Sequence, residues 1–169
     1  MRILMISDVY FPRINGVSTS IQTFKGEFEK LGHEVTLIAP DYPADYPTDP
    51  TIIRIPSRGV LFDPEDRMMR YREITRLRDQ LAGQNFDLIH VHTPFVAHYA
   101  GAKLARLLDL PLVITYHTLF EEYLYHYIPF LPRVLLKKFA RHFSRNQCNQ
   151  AHSIIAPSSV IVELLQRYG

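Results

Sequence analysis

Cysteine is nearly missing from this chain: Cys148 stands alone, which excludes an internal disulfide framework and fits a reducing compartment. Long apolar runs are missing too. The N-terminal stretch Ile3-Leu4-Met5-Ile6 is soon interrupted by Asp8, and nothing approaches the roughly 20 apolar residues of a membrane span. The expectation is a cytoplasmic protein that meets a membrane only at its surface. No charge sign dominates, since 19 basic residues stand against 17 acidic ones, and a net +2 argues against nucleic acid as a partner. The turn after the first apolar run lacks the G-x-G-x-x-G fingerprint, which disfavours a tight dinucleotide site and with it a nucleotide-sugar epimerase or dehydrogenase. Ser7 and Ser158 sit in no G-x-S-x-G elbow, so hydrolysis by a nucleophilic serine of that kind is not expected. His90, His92 and His117, with His98 and His126 not far on, form no H-x-x-x-H or H-E-x-x-H set, and no metal site is expected.

What is present is a regular alternation. At 169 residues and 47% hydrophobic the chain suffices for one sizeable domain and is short for two. Apolar, β-branched runs bounded by turn residues predict strands over 3–6, 35–39, 51–55, 87–91, 112–115 and 153–156. Val17, Ile21, Phe24, Phe28 and Leu31 recur at three- and four-residue steps, predicting a helix that Gly32 stops. Further helices are expected over 65–81, 95–108 and 132–149, and a last one opened by Ser158 or Ser159. Proline-bearing stretches at 40–50 and 56–64 read as loops. Strands alternating with helices of this length require right-handed crossovers and a sheet covered on both faces. The predicted architecture is a Rossmann-like three-layer α/β sandwich with a mostly parallel sheet of about six strands.

In such a sheet ligands gather at the carboxyl ends of the strands. His117 lies just past the run 112–115, and Glu121, Glu122, Tyr123, Tyr125, His126 and Tyr127 follow it with acceptors, donors and flat apolar faces suited to a polyol or an amphiphile. The other reading of His117 is a strand cap. At the first turn, Asn15-Gly16 leads into Val17 and Ser18, where Gly16 allows close backbone approach and the helix start offers N–H groups to an anion; the same dipeptide also marks an ordinary turn. His90 alternates with Val91 inside a strand and reads as a core residue. Arg133, Lys137, Arg141 and Arg145 are spaced four apart beside Lys138 and His142, while Leu135, Leu136, Phe139, Ala140 and Phe143 take the other side. From Tyr123 to Val162 no Asp or Glu balances them. Two readings of this basic amphipathic helix stay open: contact with an anionic membrane, or an apolar face packed on the sheet with a solvated basic face.

Several pieces, in order, resemble a known family. They are Met1-Arg2-Ile3 with Ser7-Asp8, the loop from Pro12 through Asn15-Gly16-Val17, Leu31-Gly32-His33-Glu34-Val35, Asp87-Leu88-Ile89-His90-Val91-His92, Thr115-Tyr116-His117-Thr118 and Ala156-Pro157-Ser158. Together they are similar to the N-terminal half of family-four retaining glycosyltransferases of the GT-B fold. The run from Tyr116-His117-Thr118 through Glu121-Glu122-Tyr123 to Tyr125-His126-Tyr127 further resembles the branch that glucosylates diacylglycerol. The resemblance implies an acceptor-side domain spanning 1–169 and a C-terminal domain, not in this chain, that holds most of a UDP- or GDP-hexose; the chain would then be a domain, a proteolytic remnant or a truncated gene product. It implies no cofactor in this domain and a sugar or lipid acceptor. Gly16, with Asn15, Val17 and Ser18, would lie by the donor's diphosphate, and His117 at the transferred sugar. His92, Thr118, Glu121, Glu122 and Tyr123 are the acceptor-side candidates, and Arg133, Lys137, Lys138, Arg141 and Arg145 the candidates for contact with an anionic membrane at the inner face. The family reaction is a retaining transfer of a hexose to a hydroxyl in which the leaving diphosphate helps to deprotonate the acceptor. The competing expectation is a non-enzymatic Rossmann-like binding module.

Overall fold

The structure, a computed structural model, describes residues 1–43, 46–60, 63–117 and 132–169, with the side chains of 63–65 left aside. Eight strands and six helices alternate along them. β1 (Arg2–Ile6) feeds α1 (Gly16–Lys30), followed by β2 (Glu34–Pro40) and β3 (Ile52–Ile55). A hairpin comes next, β4 (Ser57–Val60) and β5 (Asp63–Met69), then α2 (Tyr71–Arg76) and α3 (Arg78–Ala82). β6 (Leu88–Val91), α4 (Val96–Leu108) and β7 (Leu112–Thr115) complete the middle. α5 (Arg133–Cys148), β8 (Ser153–Ile155) and α6 (Ser159–Tyr168) close the chain.

Six strands form one sheet in the order β3-β2-β1-β6-β7-β8, every pair parallel. The chain moves outward from β1 in one direction, returns, and moves outward from β6 in the other, so β1 and β6 flank a topological switch point. Side chains alternate between the faces with the strand period of two. Ile3 and Met5 of β1 join Val35, Leu37 and Ile21 in the core under α1, whereas Leu4 and Ile6 join Ile38, Ile89, Val91 and Leu104 in the core under α4. α4 approaches unusually closely: a Cβ on Gly101 would sit 2.5 Å from Val91 Cγ2. The α1 terminus follows the sequence expectation. Gly32 takes φ +81°, and the His33 N–H to Phe28 carbonyl and Gly32 N–H to Glu29 carbonyl bonds close a Schellman end.

The region 56–81 departs from expectation. In place of a loop and one long charged helix there is an antiparallel hairpin in which Ser57 pairs with Met69, followed by two short helices that meet at Leu77. Long-range partners override the helical spacing of the charges. The Arg67 guanidinium donates to the Ser57 hydroxyl and carbonyl, both at 3.0 Å, and Met69 is buried in the core, so the chain is held extended until Arg70. The face of α5 also differs. Leu136, Ala140, Ser144 and Gln147 are buried, while Val134, Leu135 and Phe139 stay 66%, 53% and 57% exposed beside the basic residues.

Candidate functional site

The carboxyl ends of β1, β6 and β7 open onto a cavity of about 750 Å³ at the switch point. Its wall is built from the segments that leave these strands and from the start of α1. Asp8 and Val9 come from beyond β1, His92 to Val96 from beyond β6, Tyr116 and His117 from beyond β7, and Asn15, Gly16 and Val17 from the head of α1. The hairpin supplies Asp66, Arg67 and Met68 as a further wall, and α5 supplies Phe143, Ser144 and Gln147. α5 is fastened there by polar bonds: the Tyr116 hydroxyl lies 2.9 Å from Ser144 Oγ, and the Gln147 amide donates to the Pro94 carbonyl at 2.7 Å.

At the head of α1, Asn15 is the N-cap, its side chain accepting from the Ser18 N–H at 2.8 Å. Ser18 is buried outside the cavity wall and its N–H is committed to that cap, so of the four residues expected at a diphosphate only Asn15, Gly16 and Val17 face the cavity. A Cβ at Gly16 would meet nothing within 4 Å, which leaves open space beside the backbone at that point. Arg13 lines the same region and pairs with Asp66 at 2.9 Å, whereas Lys25 is turned to Glu29 at 2.6 Å.

The histidines form a stack. His90 is a core residue whose Nε2 lies 2.7 Å from Thr115 Oγ1; His92 lies against it with ring centroids 4.0 Å apart, and His92 Nδ1 is 3.1 Å from His117 Nε2. Burial disfavours the imidazolium at each. His117 and His90 are pushed down to about 4, and His92 falls well below its ordinary value through burial and its two histidine neighbours. All three are therefore neutral at pH 7. His98, fully buried at the cavity wall, is likewise pushed down to about 4, and neither of its ring nitrogens meets a partner among the described residues.

Asp8 is the buried carboxylate of the site. Thr93 Oγ1 donates to its Oδ2 at 2.8 Å and the Ala97 N–H to both carboxylate oxygens at 3.1 Å, so Asp8 caps α4 from 89 residues away where Phe95 provides no side-chain cap. Desolvation nevertheless outweighs these bonds and raises its pKa to about 6. Both described carboxylates in the wall are thus occupied, Asp8 by α4 and Asp66 by Arg13, and the chemistry on offer is hydrogen bonding to a polar ligand rather than nucleophilic attack. Thr118, Glu121, Glu122 and Tyr123 lie outside the described residues. Arg133, Lys137, Lys138, Arg141 and Arg145 are exposed on α5, away from the cavity wall.

The family model described as Glycosyltransferase Family 4 matches residues 14–169. The chain belongs to that family. It is 35% identical to an alpha-monoglucosyldiacylglycerol synthase of Streptococcus pneumoniae, over 99% of this chain and 38% of that protein. A protein of the same name from Acholeplasma laidlawii is 30% identical over 99% of this chain and 43% of its own length. A GDP-mannose-dependent alpha-mannosyltransferase of Mycobacterium tuberculosis is 30% identical over 100% of this chain and 45% of its own. The chain thus spans less than half the length of these relatives. Among solved structures, the UDP-GlcNAc 2-epimerase of Methanocaldococcus jannaschii superposes with a TM-score of 0.56 at 15% identity, covering 99% of this chain and 42% of that one. An alpha-glucosyltransferase in complex with UDP and DNA gives 0.52 at 14%, covering 94% and 37%. At such identities the likeness is one of fold.

In this Glycosyltransferase Family 4 chain the sequence reading overlooked four parts of the wall. Asp8 was legible as an interruption of an apolar run and, with Ser7, as a piece of the family resemblance, but not as a group of the site, although a carboxylate directly past a buried strand at a sheet's carboxyl edge is a usable signal. Thr93 carries no local signal, and His98 stands out only among the histidines considered for a metal site. Arg67 was hidden by the expected helix over 65–81.

Proposed function

We propose that this chain is the acceptor-side domain of a retaining hexosyltransferase that moves a hexose from a UDP- or GDP-sugar to a hydroxyl of a membrane glycerolipid. The observation that carries the reading is one cavity at the switch point walled by both Gly16 and His117, in a chain whose relatives include two glucolipid synthases. Gly16 and Val17, with Asn15, would receive the donor diphosphate, and His117 would hydrogen-bond the transferred sugar, with His92 behind it. The acceptor oxygen forms its bond to the anomeric carbon as the bond to the diphosphate breaks, on the same face of the sugar, and the acceptor's proton passes to the leaving diphosphate. Occupied carboxylates at Asp8 and Asp66 are consistent with a mechanism that asks no protein nucleophile of this domain. A second domain would bring most of the donor contacts. The exposed Leu135 and Phe139, set among Lys137, Lys138 and Arg141 on the helix that also walls the cavity, support an acceptor drawn from an anionic membrane surface at the cytoplasmic face.

The test is a crossed assay with the full-length protein: UDP-glucose, UDP-galactose and GDP-mannose against diacylglycerol in vesicles, with products read by mass and anomeric configuration by NMR. An α-hexosyl lipid is the expected product. Donor turnover only onto soluble sugars would overturn the lipid acceptor, and no transfer from any nucleotide sugar would overturn the enzyme reading.

A further inference from the structure

The register of β6 on β7 makes one diagonal contact twice. His90 pairs with Val113 in the ladder and reaches Thr115 with its ring; two residues on, on the same face, His92 reaches His117 in the same way. The second contact joins two imidazoles. A neutral imidazole carries one N–H and one lone pair, so only one member of the pair can donate. Burial holds both in the neutral form at pH 7.

Two arrangements satisfy the 3.1 Å contact. If His92 donates from Nδ1, its Nε2 is a bare lone pair, and His117, accepting at Nε2, must carry its proton on Nδ1. If His117 donates from Nε2, the His92 proton moves to Nε2 and His117 offers the cavity a lone pair instead. His92 Nε2 decides between them, because it is buried without a hydrogen-bond partner among the described residues. The second arrangement strands an N–H there, and orphaned buried N–H groups are rarer than under-satisfied acceptors. The Phe24 ring, 5.7 Å away between centroids and tilted by 59°, could offer that N–H no more than a weak π contact.

We propose that His92 is a positioning residue that holds His117 in the Nδ1–H tautomer, so that His117 meets a ligand in the cavity as a hydrogen-bond donor. The group it recognises is then an oxygen with a free lone pair, such as a sugar hydroxyl or the oxygen of a breaking glycosidic bond, and not an N–H or a cation. This deepens the transferase reading and rests on it for the identity of that oxygen; the tautomer itself rests on the geometry.

Long-range proton–nitrogen correlation spectra of the full-length protein, labelled in histidine, read the tautomer directly at about pH 7.5. His117 should show a protonated Nδ1 and an unprotonated Nε2. His92→Asn, whose amide can donate from near the old Nδ1 position, should keep that signature, and His92→Phe should lose it in favour of Nε2–H. In the hexosyl-transfer assay His92→Phe should lower kcat about tenfold or more with KM little changed, while His92→Asn stays within about threefold of the parent. An Nε2–H His117 in the parent protein, or an Nδ1–H signature unchanged in His92→Phe, overturns the positioning role. If His92→Phe does not fold, His92→Leu, which likewise cannot donate, takes its place in both measurements. A parent protein with the expected tautomer but no transfer overturns the transferase reading alone.

Discussion

At the scale of single residues, burial holds the histidines of the site neutral at pH 7 and raises the pKa of Asp8, and that has consequences for pH. His90, His98 and His117 have folded-state pKa values near 4, and His92 lies well below its ordinary value. The unfolded chain therefore binds protons that the folded one refuses, and the stability these histidines contribute is present above about pH 6.5 and is lost as pH falls towards 4. Asp8 acts oppositely. Its folded pKa of about 6 exceeds the unfolded 3.8, so its contribution is full below pH 3.8 and is lost as pH rises through 6, at a cost of about 3 kcal/mol once it is ionised. Four histidines outweigh one carboxylate, and denaturant midpoints should fall as pH drops from about 7 to 4. Asp8→Asn keeps the acceptor for Ala97 and removes the opposing term, so its stability relative to the parent should be higher at pH 7.5 than at pH 4, by up to about 3 kcal/mol. A pH-independent difference would show that Asp8 is not buried as described. If His117 has the proposed role, His117→Ala in the full-length protein should lower kcat by about tenfold or more through loss of a transition-state hydrogen bond, read by initial rates against the parent.

At the scale of elements, two glycines separate packing from function. Gly101 lets α4 settle on β6, and Gly101→Ala would drive a Cβ into Val91; the overpacking cost of about 1–3 kcal/mol exceeds the ~1 kcal/mol of helix propensity gained, so unfolding midpoints should fall. Gly16→Ala meets open space and should leave those midpoints unchanged, while on the proposed reading donor KM should rise because the new methyl would occupy the diphosphate's approach. α5 is the third case. Its exposed Leu135 and Phe139 among basic neighbours should bind vesicles that contain anionic lipid, each basic residue near the surface contributing roughly 1 kcal/mol. Sedimentation of the full-length protein checks this: replacing Lys137, Lys138, Arg141 and Arg145 by Gln should release it, whereas equal binding to neutral and anionic vesicles would leave α5 a purely structural helix.

At the scale of the whole molecule, the six-stranded sheet has cores on both faces, and a chain of this length buries enough surface to fold on its own. Residues 1–169 expressed alone should therefore unfold cooperatively. On the proposed reading they should bind nucleotide sugars feebly in calorimetric titrations, because the described wall would offer a diphosphate little beyond the Gly16 and Val17 backbone while Arg13 is shared with Asp66. Micromolar donor binding by residues 1–169 alone would refute the proposed division of the site between two domains. The fold cannot choose the reaction, since an epimerase and a glucosyltransferase superpose on it about equally well.

Hydrophobic period and turn residues are local quantities, and they determined what is local. The six parallel strands, the α1 start at Asn15-Gly16 and its stop at Gly32 were all legible, and so was the position of His117 just past a buried strand at the edge where ligands gather. Tertiary structure alone decided the rest, because it depends on partners distant in sequence. The β6–β7 register sets His92 against His117 and His90 against Thr115, each 25 residues apart. Pairing between Ser57 and Met69 turns a helix-like charge pattern into a hairpin wall. Burial of Leu136, Ala140 and Ser144 selects which side of α5 faces outward. Asp8 caps α4 across 89 residues, a bond that exists only because the switch point brings the end of β1 beside the start of that helix.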